Sequence, residues 1–253
     1  MDTEPATTGP EPAHLRRVVS YVRRGDRMTA GQERAWREHW PRLGADVADL
    51  PPGPLDTPAW FGRRAPLVLE VGPGMGEATA ALAAARPDLD HLAVEVYEPG
   101  LAQLLLRIEA GEAGGADNLR LLRGDALDLA RDHLARGSLR AVRVFFPDPW
   151  PKRKHHKRRL VQPAAVRLLA ERLAPGGVLH LATDWPHYAD QVRAVCAAEP
   201  LLRPAPGSDG GVVPRPAERP VSKFEQRALD EGRPVRDLVF VRSSGITCPS
   251  DGH

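Results

Sequence analysis

Leu67-Val68-Leu69-Glu70-Val71-Gly72-Pro73-Gly74-Met75-Gly76-Glu77 joins a short apolar run to an alanine-rich stretch through glycines at alternate positions. The apolar run predicts a buried strand, and the stretch from Glu77 to Ala85 predicts a helix. Alternating glycines let the backbone turn tightly and let a ligand approach it closely. Such a turn serves a dinucleotide, a cofactor without phosphates, or close packing alone. Two residues separate these readings. The dinucleotide pattern Gly-x-Gly-x-x-Gly has Glu77 at its last position here, and a carboxylate there repels a pyrophosphate. Glu70, two residues before the first glycine, suits a cation.

Working outward, short apolar segments alternate with helical ones. His91–Val96, Asn118–Arg123, Ala141–Phe146 and Val178–Thr183 read as further strands. Gly100–Ala110 and Gln162–Leu173 read as helices, the second ended by Pro175-Gly176-Gly177. This alternation predicts an α/β fold with a doubly wound, mostly parallel Rossmann-like sheet, whose ligands bind at the carboxyl ends of the strands. Before it, Thr29-Ala30-Gly31-Gln32 has the form of a capping box, opening a short helix through Trp36 and Trp40 that stops near Pro41. Residues 51–58 read as a linker, and the proline- and glycine-rich residues 203–220 as a loop. The expected organisation is a disordered tail over 1–13 and a basic arm with a short helix over 14–60. The main domain follows over 61–242, then a frayed tail over 243–253. The arm carries Arg16, Arg17, Arg23, Arg24 and Arg27.

The acidic residues at the strand ends narrow the ligand. Glu95 is placed to accept hydrogen bonds from ribose hydroxyls, and Asp125 from an adenine amino group. With Glu70 and the glycines Gly72, Gly74 and Gly76, they predict a phosphate-free, cationic adenosine cofactor. S-adenosyl-L-methionine has that chemistry, and the fold expected is that of a methyltransferase.

Composition bounds the partners. The chain has 253 residues and a formal net charge of +2, so total charge does not announce a polyanion. Its distribution does. Only four of the 35 basic residues are lysines, and Lys152, Lys154 and Lys157 fall in one run with Arg153, Arg158 and Arg159. Six like charges in eight positions repel one another unless an anion neutralises them, and phosphate contacts of that kind orient a polynucleotide. The run follows Asp148-Pro149-Trp150-Pro151 directly, which sets a carboxylate and a stacking face beside the predicted methyl donor. A solvated face and a rigid turn are the plain alternatives. His155 and His156 lie within the run without Cys, Asp or Glu at ligand spacing, so no metal is expected. Thr183-Asp184-Trp185 repeats the acid-plus-tryptophan pattern, and the fourth lysine stands alone in Ser222-Lys223-Phe224-Glu225. The two cysteines, Cys196 and Cys248, are expected reduced, and no segment is apolar enough to span a membrane. The start is acidic rather than that of a secretory leader, which points to the cytoplasm. Monomer and homodimer both stay open.

At these motifs the chain resembles the bacterial tRNA (guanine-N7)-methyltransferases over about residues 16–240. The glycine stretch is generic, whereas Phe145-Phe146-Pro147-Asp148-Pro149-Trp150-Pro151-Lys152 with the following basic run is specific. Arg27-Met28-Thr29-Ala30-Gly31-Gln32 is similar to the family's entry segment. The resemblance implies a class I fold and donor contacts at Glu70, Glu95 and Asp125, with Asp148 as the catalytic acidic residue, a carboxylate beside the donor. It implies substrate contacts at Lys152, Asp184, Ser222, Lys223, Phe224 and Glu225, and tRNA contact along Lys154, His155, His156, Lys157, Arg158 and Arg159. The implied target is a guanine of the tRNA variable loop. The chain departs from the family's pattern in having Ser222 for threonine, Ala228 for glycine, and a divergent segment over 229–236. Two other classes stay in view: a methyltransferase for a different RNA site, and an RNA-binding protein without chemistry.

Overall fold

Six strands pair in parallel, and the point where their order reverses sets the position of the cleft. The computed structural model describes residues 27–244. Helix α1 (Ala30–Leu43) and strand β1 (Gly44–Asp46) lead into α2 (Thr57–Phe61). The alternating core follows: β2 (Leu67–Val71), α3 (Glu77–Ala85), β3 (Asp90–Glu95), α4 (Glu98–Glu109), β4 (Leu119–Arg123), α5 (Ala126–Asp132) and β5 (Leu139–Phe145). After a long connection come α6 (Pro163–Arg172), β6 (Leu173–Thr183) and α7 (Pro186–Ala197). The chain closes with β7 (Leu202–Pro204), β8 (Val212–Val213), α8 (Lys223–Asp230) and β9 (Arg236–Arg242). The sheet order is β1-β4-β3-β2-β5-β6-β9-β7, with β8 on β9. From β2 the chain winds outward through β3 and β4, then returns to the other side through β5 and β6, so the crevice opens between β2 and β5.

Central strands in a doubly wound sheet are covered on both faces and read as unbroken apolar runs. Leu67–Val71 is buried at every position. One face packs Leu69, Val94, Val142, Leu181 and Phe240 against α5, α6 and α7; the other packs Ala93, Leu119 and Leu121 against α1, α3 and α4. No helix among the described residues is long and apolar enough to cross a membrane.

Several expectations need correction. The segment expected as an arm with a short helix packs on the main sheet: β1 pairs in parallel with β4, α1 packs on α4, and Gln32 donates to the carbonyl of Pro99 at 3.2 Å. A three-residue strand is too short to carry a periodic signal, which is why the segment reads as an arm. Helix α1 does stop near Pro41, as expected, ending two residues beyond it at Leu43. The Pro175-Gly176-Gly177 segment belongs to the start of β6, and the loop over 203–220 contains β8 and the end of β7. The capping box is present, with Thr29 and Gln32 bonded reciprocally. Residues 1–13, the four arginines before Arg27 and the tail beyond residue 244 lie outside the described residues.

Gly76 is where the first turn depends on glycine most. It caps α3 at φ +72°, and a Cβ there would sit 2.6 Å from Leu104 on α4. Gly76→Ala should therefore lower stability by about 2–4 kcal/mol, left-handed strain and overpacking together. Urea unfolding measures it, and an unchanged midpoint would show that Leu104 yields freely.

Candidate functional site

The carboxyl ends of β2, β3, β4 and β5 enclose a cleft of about 610 Å³. Glu70, Glu95, Asp125 and Asp148 all line it, as do Gly72 and Gly74. Gly76 does not. Its part is the packing just described, one layer below the cleft wall. The glycine turn is held from beneath by α4: a Cβ on Gly100 would lie 2.4 Å from the carbonyl oxygen of Gly74, and Arg107 donates to the carbonyl of Met75 at 3.0 Å. Neither residue is marked by sequence pattern, since each is an ordinary helical position until the turn is laid against it.

The carboxylates are held differently. Glu95 accepts from the backbone N–H of Val96 at 2.7 Å, Tyr97 at 3.0 Å and Gly74 at 3.1 Å, which ties the end of β3 to the glycine turn. Burial nonetheless raises its pKa, and the charge of Asp148 adds to the rise. Asp125 caps α5, accepting from Leu127 at 2.8 Å. Glu70 is 5% exposed, and its Oε2 is buried with no hydrogen-bond partner. Burial pushes its pKa up, opposed by the positive charge of Arg143 on β5. A buried carboxylate oxygen without a donor is costly unless something fills the place. A cationic ligand seated in the cleft would do so, and the residues present therefore fit the expected donor.

Asp148 lies three residues past β5, in a connection that is strained on both sides. Phe146 and Trp150 adopt φ of +51° and +43°. Non-glycine residues hold such angles only where surrounding structure over-determines them, and they cluster at working sites. The ring of Trp150 carries the Arg158 guanidinium at 5.0 Å and meets His155 edge-on.

The basic run divides. Arg153–Arg158 forms a 3-10 turn with Lys152 as its cap, and Lys152, Arg153, Lys154, Lys157 and Arg158 are exposed. His155 and His156 are partly buried, and burial with the surrounding cations lowers the pKa of His155. Arg159 is not part of the exposed surface, contrary to expectation. It is 4% exposed, donates to the carbonyl of Pro149 at 2.8 Å and to Gln191 at 2.6 Å, and lies over the ring of Tyr188. It braces the Asp148 connection from inside. Lys152 stands outside the cleft lining, on the rim with the turn.

The C-terminal segment closes the opposite wall. Ser222, Lys223 and Phe224 line the cleft, with Phe224 left 58% exposed at its mouth. The Ser222 hydroxyl accepts from Glu225 N–H and caps α8, a task that serine and threonine share. Glu77 accepts from the backbone N–H of Lys223 at 2.9 Å, so the departure from the dinucleotide pattern ties α8 to α3. Glu225 does not face the cleft as expected: it is 2% exposed and paired with Arg219. Asp184 also stays outside the lining, held by Arg233 from the divergent segment. Elsewhere among the described residues, Glu38, His39 and Glu109 lie together as potential metal ligands, with Arg34 already paired to both carboxylates.

Comparison with known proteins places this geometry. Residues 64–238 match the family model described as "Putative methyltransferase". The chain is 52% identical to a tRNA (guanine-N(7)-)-methyltransferase of Nocardia farcinica, over 88% of this chain and 84% of that one. It is 50% identical to the same-named protein of Paracidovorax citrulli, over 94% and 93%. Among solved structures, the 16S rRNA methyltransferase KamB superposes with a TM-score of 0.50 at 17% identity, over 75% of this chain and 94% of that one, which speaks for the fold.

Because burial raises the Glu70 pKa and a cationic ligand needs the ionised form, binding there should release a proton. Affinity for S-adenosylmethionine should then rise with pH as Glu70 ionises, above the range of an ordinary carboxylate. Calorimetry as a function of pH checks it, with Glu70→Gln expected to bind more weakly and without the pH dependence. A parental pH profile in that variant would remove Glu70 from the donor site.

Proposed function

The chain belongs to the tRNA (guanine-N7)-methyltransferase family, and we propose that it methylates its guanine in the tRNA variable loop, from S-adenosylmethionine held by Glu70, Glu95 and Asp125. It is an enzyme that transfers a methyl group to guanine N7 of tRNA. The observation that carries the residue assignments is the row of carboxylates at four adjacent strand ends, with an exposed basic turn on its rim. S-adenosylmethionine, when bound, supplies an electrophilic methyl group on a sulfonium. The setting is the cytoplasm, where tRNA is found.

Guanine N7 presents its lone pair without loss of a proton, so the chain needs no general base. Its residues instead supply alignment and a matched field. Asp148 accepts hydrogen bonds from the N1–H and exocyclic amino group of the base, which turns N7 toward the donor side of the cleft. Its negative charge also stabilises the cationic purine that forms. Glu95 and Asp125 receive ribose hydroxyls and the adenine amino group. Phe224, exposed at the mouth, offers a face for a base, and Ser222 and Lys223 border it. The turn over Lys152–Arg158 grips backbone phosphates and sets the register of the RNA. A protein that bound RNA without chemistry would have no use for a buried carboxylate at Glu70 with one oxygen left without a donor.

Nucleoside mass spectrometry of tRNA incubated with protein and donor tests the reaction and its position; methyl groups at N1 or N2 of guanine would contradict it. Asp148→Asn keeps the size and one acceptor but loses the charge. It should add about 2–4 kcal/mol to the barrier, a hundredfold or more in rate. Donor and tRNA affinities should stay near parental. Single-turnover transfer at saturating donor and tRNA measures this, and a near-parental rate would reduce Asp148 to a turn residue.

Replacing Lys154, Lys157 and Arg158 together by alanine should weaken tRNA binding. The log–log salt slope should become shallower by about two to three, with donor affinity untouched. Binding titrations at several salt concentrations decide it. An unchanged slope would make the turn a solvated face.

A further inference from the structure

Arg219 is buried to 1% exposure at the meeting of three elements, and every guanidinium nitrogen is engaged. Nε and Nη2 donate to the two carboxylate oxygens of Asp237 on β9 at 2.7 and 2.8 Å. Nη2 also donates to Glu225 Oε1 at 3.0 Å, and Nη1 donates to Glu225 Oε2, on α8. The guanidinium lies 5.7 Å from the ring centre of Phe145 and 5.8 Å from that of Phe146, the residues that lead into Asp148. Asp237 is held in turn by His180 of β6 at 2.7 Å. Arg219 itself forms part of the cleft wall, between the Phe146–Asp148 connection and Ser222.

From this geometry we infer that Arg219 is a positioning residue for methyl transfer, fixing α8 and the Asp148 connection in one relative placement so that the guanine is held between them. The inference rests on the reading of function above and adds a residue to it. Its physical basis is the fork. One planar guanidinium grips two carboxylates from different elements and presents its flat face to aromatic rings at once, which a lysine ammonium cannot do. Phe146 sits at positive φ, so the connection is not held in place by its own backbone preference and needs an external brace. Glu225 then acts on the substrate through Arg219 rather than by touching it. Arg219 bonds to Asp237 and Glu225 and to none of Glu70, Glu95 and Asp125, so donor affinity should depend little on the brace.

A purely structural part for Arg219 predicts lower stability with normal chemistry in the folded protein. The positioning part predicts a loss in the transfer step itself. Two variants separate them. Arg219→Lys keeps the charge without the fork. The pair Arg219→Met with Glu225→Leu removes one ion pair whole and leaves Asp237 with His180. Replacing a buried pair by apolar residues is often tolerated, so this second variant guards against misfolding. Both are measured at a temperature where unfolding curves show them folded, in single-turnover transfer to tRNA at saturating donor and substrate. The parent chain, run alongside, tests the functional reading by itself, since 7-methylguanosine must form there before variants are compared. The transfer rate should fall about 30-fold or more in each, in line with the effect of a misplacement of roughly 1 Å. Donor affinity should stay within about threefold, well under the tenfold that 1.4 kcal/mol represents. A parental transfer rate in the folded double variant, or a rate loss that weaker donor binding explains entirely, overturns the inference.

Discussion

Carboxylates set at the ends of four adjacent strands repel one another, and each loses water on being drawn into a cleft. Much of the surrounding structure answers that constraint. Glu95 is answered by three backbone N–H groups, one of them from the glycine turn, so the turn's shape and the charge at β3 are a single arrangement. Asp125 is answered by the amide end of α5, where a negative side chain is stabilised by unpaired N–H groups. Glu70 is answered by the charge of Arg143 and by the Thr79 hydroxyl, and its Oε2 still has no donor. On the proposed reading, that partial answer is what leaves room for the donor. A site meant to attract a cation should not be neutralised beforehand by the protein's own cations.

The same constraint explains which cation stands where. All four lysines are exposed: Lys152, Lys154 and Lys157 on the basic turn and Lys223 at the cleft mouth. The cations that reach into the protein are arginines. Arg219 holds two carboxylates, Arg159 holds a carbonyl and an amide over a tyrosine ring, and Arg143 lies under the cleft. Guanidinium is weakly hydrated and binds in a plane, so it can be buried with its donors paired, whereas an ammonium keeps its charge best in water. The run from Lys152 to Arg159 therefore has two functions in one stretch. Its exposed part is the one proposed to meet phosphates, and its last residue anchors the connection that carries Asp148.

How much of this was legible in the sequence follows from how local each signal is. The alternation of strands and helices, the glycine turn and the acidic strand ends are written within a few residues, and the structure places Glu70, Glu95, Asp125 and Asp148 on one cleft. Strand β1 escaped because its three residues have too short a period to read, although its pairing with β4 sets α1 against α4. Substrate contacts at Glu225 and Asp184 are implied by the family resemblance, and an acid beside an aromatic looks the same in sequence whether it faces a ligand or an arginine. Arg219 and Arg233, which claim them, lie 6 and 49 residues away. One chain alone carries no mark of such pairs.

Glu77 shows how a single departure from a pattern can have two causes at once. Its charge at the head of α3 excludes a phosphate-bearing ligand, the reason it is informative in the sequence. In the structure the same carboxylate accepts from the backbone N–H of Lys223, and so closes α8 over the glycine turn. The residue that departs from the dinucleotide pattern is thereby the one that ties α8, proposed to face the substrate, to the start of α3. A glycine in its place would remove both constraints together. On the proposed reading, specificity for the donor and placement of the substrate wall both follow, at this position, from one negative charge.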